Sequence, residues 1–328
     1  MIVGEGKFRY EVHAEWEQLP KGWRHGDVAG VATDSQDRVY VFNRSEHPVI
    51  VYERDGKFLG SWGEGLFPRP HGITIVNDIV YLADDTDHSV RKCTLDGRLL
   101  MTLGTVGKPA DTGYVASAPD NLTTITRGGG PFNRPTRLSI GNNGDLYVSD
   151  GYGNARVHRF TADGTLINSW GEPGDRHGEF SLPHSVWAHT DGRVFVCDRE
   201  NDRVQIFDAA GKYLSEWTNV QRPGDLYIDA DNAVYVGQMH WTKGMTRLNG
   251  RTWTETRHPS MTVRDLDGNV LSQWGGPDPC APGSFASPHG LWVDRHGDIY
   301  VGEVTQTALT SLGKYHESCH SIQKFVRV

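Results

Sequence analysis

The sequence predicts an all-β fold, a six-bladed β-propeller, on three observations. An alternating strand pattern recurs with a period of about 40 residues. Each unit runs through a D-G or A-G turn to a final strand that usually ends in Trp or Trp-Gly. Helix-period segments are absent, while Gly/Asp/Asn turns separate strands of four to six residues or so.

The blades follow in order. Residues 25–63 form the first, with VYVF as its alternating strand and KFLGSW as its fourth. Residues 69–104 form the second, from HGITIV to LMTLG. The third, 133–171, holds LYVSD, VHRF and TLINSWG; the fourth, 182–218, holds VFVCD, VQIF and KYLSEW. The fifth, 221–275, is interrupted by an insertion at roughly 241–262. The sixth, 287–328, lacks a fourth strand. The N-terminal segment 8–18 contains YEVHAEW, which matches KFLGSW and TLINSW, and is expected to close the last blade. Closure of this kind pairs the two free edges of the ring. Nothing marks a second domain, so residues 1–328 are read as one. Residues 105–132 are a second long insertion, and segments of that length in a compact fold carry function or mobility.

Composition narrows the function. The 39 glycines and 23 % charged residues suit a turn-rich globular chain rather than a disordered one. A net charge of −8 argues against general nucleic-acid binding, which needs a basic footprint. No apolar run approaches the length of a membrane-spanning helix, and the start lacks a signal-peptide layout. The four cysteines (Cys93, Cys197, Cys280, Cys319) are far apart with no CxxC. They suggest neither a disulfide framework nor a Cys-rich metal site, and a reducing, cytoplasmic compartment is expected.

Pro-His heads an apolar strand three times: PHGI at 70–73, PHSV at 183–186 and PHGL at 288–291. The matching first-strand position in the six blades holds Ala29, His71, Thr136, His184, Gly224 and His289. Histidine therefore occupies every second blade. Alternate blades of a six-fold ring lie about 120° apart, and the innermost strands line the axis. Three imidazoles converging at one level suit a zinc ion with an open fourth position, the arrangement of a catalytic site. A single channel histidine can equally bond a water; the alternate placement favours metal.

A second level is read at the loops after the second strands: Arg44, Asp85, Tyr152, Arg199, His240 and Glu303. Polar groups over a metal on one propeller face suggest a substrate ring. Arg44 and Arg199 suit a carboxylate, with blade-to-blade salt bridges as the structural alternative. In 306–320 (QTALTSLGKYHESCH), His316, Cys319 and His320 are read as loop residues, because their spacing supports no second metal site.

The blades resemble NHL repeats. The set PHGI, NRPTRLSI, YVSDGYGNARVHRF, LPHSVWAH, CDRENDRVQIF and PHGLWVD resembles peptidyl-α-hydroxyglycine α-amidating lyases over most of the chain. The resemblance implies zinc on His71, His184 and His289, a catalytic tyrosine at Tyr152 and active-site arginines at Arg44 and Arg199. It also implies calcium on the carbonyls of Val31 and Ile73 and on an aspartate, but that last position is Gly290 here. A hard cation then lacks its anionic ligand. Ser287 replaces a family methionine, and Gly153 and Ile206 replace disulfide cysteines. The implied reaction is cleavage of a carbinolamide to an amide and glyoxylate, on a small molecule carrying a carboxylate. A zinc-dependent hydrolase of an ester, lactone or amide and a non-catalytic protein-binding scaffold are the rivals.

Overall fold

Six antiparallel sheets follow one another around an axis in the computed structural model, which describes residues 1–328. The innermost strands are Val28–Thr33, Pro70–Val76, Pro135–Ile140, Pro183–Ala188, Pro223–Ile228 and Pro288–Val293. Each packs against the next, and the last packs against the first, so the ring is closed. The closing sheet pairs Phe8–His13 with Ile322–Arg327, as the sequence predicts. It also carries a fifth, outermost strand, Ile2–Glu5, which was not anticipated.

The Trp and D-G signals of the repeat are two halves of one contact. Gly97 sits in the last turn of blade 2 at φ 87°, and a Cβ there would stand 2.6 Å from the Trp62 ring of blade 1. Gly211 against Trp170 and Gly268 against Trp217 repeat the arrangement. Each tryptophan thus closes over the neighbouring blade's turn, where no side chain fits.

Two differences from the sequence reading matter for the site. A short helix, α1 (Thr305–Ser311), opens the 305–320 strap, too brief for its periodicity to register. Cys280 and Cys319 form a disulfide with Cα atoms 4.7 Å apart, while Cys93 and Cys197 are buried and free. The partners are 39 residues apart, on the loops that lead into Pro288–Val293 and Ile322–Arg327 of one sheet, and the pairing withdraws the cysteine argument for a reducing compartment. No helix is long and apolar enough to cross a membrane.

Candidate metal centre and arginine-lined cavity

A register shift occurs at the start of every inner strand, between Val28 and Gly30, Pro70 and Ile73, Pro135 and Arg137, Pro183 and Ser185, Pro223 and Asp225, and Pro288 and Gly290. The irregularity spans Ala29, His71, Thr136, His184, Gly224 and His289. Bulges re-aim side chains, and here they gather the three histidines into one cluster. Ring centroids of His71, His184 and His289 lie 4.6–4.8 Å apart, and one nitrogen from each falls within 4.8 Å of the others.

The other ring nitrogen of each histidine is already committed. Nδ1 of His71 meets the Thr136 carbonyl at 2.7 Å, His184 meets Gly224 at 2.5 Å, and His289 meets Ala29 at 2.8 Å. Each histidine therefore bonds the axial residue of the next blade. A carbonyl only accepts, so Nδ1 carries the proton and Nε2 presents a lone pair. Nε2 of His71 and of His289 are buried without a hydrogen-bond partner. Burial, reinforced by neighbouring imidazoles and guanidiniums, holds all three far below the ordinary histidine value. Three neutral, oriented Nε2 atoms, two of them without a partner, fit a divalent metal ion.

Calcium is a different matter. The next level along the axis is Gly30, Gly72, Arg137, Ser185, Asp225 and Gly290. Its one anion, Asp225, is paired with buried Arg137 at 2.6 Å and also accepts bonds from Ser185 Oγ and the Leu291 N–H. An internal ion pair occupies this part of the channel, so the residues around Val31 and Ile73 do not fit a calcium ion.

Above the histidines lies a cavity of about 340 Å³. Arg44, Tyr152, Arg199 and His240 line it, with His289 at its floor. Tyr152 Oη is 3.2 Å from His184 Nε2 and accepts from Arg199 Nη1 at 3.1 Å. Arg44 pairs with Asp27 at 3.3 Å. Burial first, then Arg222, lowers His240 to about 4. The two insertions and the strap add Tyr114, Asn121, Leu248, Val304, Thr307 and Ala308 to the walls. The insertions touch through the Leu122 N–H and the Leu248 carbonyl.

Two expected members of the ring do not face the cavity. Asp85 is fully buried beneath it, pairing with Arg69 and Arg134. Glu303 is fully buried and accepts from the Ala286 N–H at 2.7 Å. The strand pairing explains this: Glu303 is the last residue of its strand, opposite Pro288, as Asp84, Asp150 and Asp198 are opposite Pro70, Pro135 and Pro183. Those carboxylates cap the N–H groups of Arg69, Asn133 and Ser181 in the same way. Alignment one residue off placed Glu303 with the loop residues. His320, the strap's last imidazole, pairs with it at 3.1 Å.

Arg69, Arg134 and Arg222 also line the cavity and went unread in the sequence. Their signal was present: Arg-Pro occurs at 69–70, 134–135 and 222–223, each time directly before an axial position.

These observations define the class: a β-propeller with a three-histidine cluster able to hold a metal ion, built from repeats of which residues 132–160 and 180–207 match the NHL repeat model. The chain is 31 % identical over 326 residues to NHL repeat-containing protein 3 of Mus musculus, across 90 % of this chain and 85 % of that protein. The chain belongs to the family of NHL repeat-containing protein 3. It is also homologous to peptidyl-α-hydroxyglycine α-amidating lyase 1 of Drosophila melanogaster, with 30 % identity over 272 residues, 76 % of this chain and 45 % of that one. The chain thus spans less than half of that lyase's length, and 61 % of the human NHL repeat-containing protein 3. Virginiamycin B lyase from Staphylococcus aureus superposes with a TM-score of 0.58 at 14 % identity, over 97 % of this chain and all of that one, which shows the fold alone.

Proposed function

We propose that the protein is a zinc-dependent carbon–nitrogen lyase that splits a carboxylate-bearing carbinolamide, R–CO–NH–CH(OH)–COO⁻, into an amide and glyoxylate. The observation that carries this reading is Tyr152 Oη, within hydrogen-bond reach of both the metal-facing nitrogen of His184 and the guanidinium of Arg199. The homology to amidating lyases supports it.

His71, His184 and His289 would hold the metal, which supplies Lewis acidity toward the substrate hydroxyl when bound. Tyr152, as tyrosinate, takes the hydroxyl proton. The O–H electrons become the carbonyl bond of glyoxylate as the C–N bond breaks, and the proton is returned to the leaving nitrogen. Arg44 and Arg199 hold the carboxylate, so that it points away from the reacting hydroxyl.

The test is glyoxylate release from N-acyl-α-hydroxyglycines and from ureidoglycolate by fully metallated protein. We expect release by the wild type and a loss of about 100-fold or more in Tyr152→Phe. A hydrolase driven by metal-activated water would lose far less in that variant. No glyoxylate from any of these substrates at full metal occupancy sinks the proposal.

A further inference from the structure

The position two residues before each axial residue forms a ring of its own: Asp27, Arg69, Arg134, Leu182, Arg222 and Ser287. Three of the six are arginine. Arg134, Leu182 and Arg222 hold φ 69°, 69° and 31°, a left-handed backbone that belongs to this ring position and that bulky side chains adopt rarely.

The arginines work in pairs on shared carboxylates. Arg199 Nε and Arg222 Nη2 both donate to Oε1 of Glu200, at 2.9 and 2.7 Å. Burial opposes ionisation of Glu200, but Arg222 and Arg199 outweigh it and hold the group down at about 2. Arg69 and Arg134 donate to the two oxygens of Asp85 in the same manner. In both pairs the carboxylate is fully buried; the Arg69 and Arg134 side chains keep 32 % and 19 % of their exposure. Each buried anion therefore holds two cations toward the cavity, and one positive charge per pair is left over. Both pairs border Tyr152: the guanidinium carbons of Arg69 and Arg134 lie 5.6 Å from its ring centroid and that of Arg199 lies 5.3 Å away.

One carboxylate on the substrate, held by Arg199 and Arg44, leaves the Arg69–Asp85–Arg134 clamp unanswered. Asp85 balances only one of its two guanidiniums, and the positive charge left over beside a small cavity favours an anion that completes the group. We propose that Arg69 and Arg134 form a second anion subsite, and that the natural substrate carries a second acidic group, a carboxylate or phosphate, on the acyl side of the scissile bond. The position of that group relative to the bond rests on the lyase reading; the subsite itself does not.

Calorimetric titration of the metallated protein with succinate and glutarate, against butyrate and with inorganic phosphate as a further arm, tests the subsite without turnover. Dicarboxylates are expected to bind about tenfold or more tighter than butyrate. Arg69→Gln and Arg134→Gln should each bring the ratio of dicarboxylate to butyrate affinity to near one, the ratio being measured within each variant at a temperature where its melting curve shows it folded. Phosphate binding lost in the same variants, with no dicarboxylate preference in the wild type, would identify the group as phosphate. If neither anion prefers the wild type, or if the preference survives both substitutions, the clamp is a structural ion triad and the proposal falls. In a turnover assay, N-succinyl-α-hydroxyglycine should show a lower KM than the N-acetyl compound, a gap that Arg134→Gln closes. Dicarboxylate preference without turnover of either compound would reject the lyase reading and keep the subsite.

Discussion

Tyr152 Oη lies 3.2 Å from Nε2 of His184, the nitrogen that must face a metal ion bound at the axis. The same imidazole gives its Nδ1–H to the Gly224 carbonyl, so its one lone pair serves either the phenol or a metal, not both. A metal ion held there would take the place of the phenol at His184 Nε2, leaving Tyr152 Oη with the bond it accepts from Arg199 Nη1 at 3.1 Å.

Metal analysis and chelator competition check this coupling. The wild type should carry about one zinc ion per chain and His184→Ala none. Tyr152→Phe should keep the ion and bind it about two- to tenfold tighter, since one net hydrogen bond no longer competes. Weaker binding in Tyr152→Phe would show that the phenol supports the site instead.

Much of this site was legible because its signals are periodic. Three Pro-His strand starts in alternate blades of a six-fold ring leave little freedom in where the imidazoles go. The Arg-Pro repeat carried the same kind of information about Arg69, Arg134 and Arg222, but the residue before a proline reads as a turn rather than as a wall of a cavity. Glu303 misled because a one-residue slip moves a side chain from the strand end, where it caps an N–H, to the loop beyond. The Cys280–Cys319 pair lies outside any repeat, so no spacing announced it. Ile2–Glu5 and α1 are too short to show a period.

Asp27 joins the strap to the cavity. Its carboxylate pairs with Arg44 at 3.3 Å and accepts the Thr307 N–H at 3.0 Å and the Thr307 hydroxyl. Asp27→Asn should cost about 1–3 kcal/mol by weakening both attachments around a buried guanidinium. Thr307→Val keeps the Arg44 pair and should cost less. Hydrogen exchange of residues 305–311 should rise in both variants. Unchanged exchange in Asp27→Asn would detach the strap from this contact.

The disulfide is the strap's covalent anchor, tying Cys319 at its far end to the 276–284 loop. Thr307 and Ala308 of the same strap wall the cavity. Closing a loop of this length is worth about 2–4 kcal/mol by chain entropy. Reduction, or the Cys280→Ser and Cys319→Ser pair, should speed hydrogen exchange across 305–320 and leave blades 3 and 4 untouched. Equal exchange in the oxidised and reduced proteins would show that noncovalent contacts alone seat the strap.

Glu17 gives the fold a pH dependence that can be read with one substitution. Burial raises its carboxyl to about 7 against a smaller lowering by His320, while His25, 3.8 Å away, is itself pushed down to about 4 by burial. In the unfolded chain an ordinary glutamate ionises near 4.5. Between those two values the unfolded state has released its proton and the folded state has not, so stability falls as pH rises and the loss is complete above about 7. The full effect is at most about 3 kcal/mol. Glu17→Gln has no proton to lose, and His25 and His320, present in both proteins, cancel to first order. The melting temperature of Glu17→Gln should therefore exceed that of the wild type at pH 8.5 by clearly more than at pH 5. An equal difference at both pH values would mean that the Glu17 carboxyl titrates in the folded protein as it does in water.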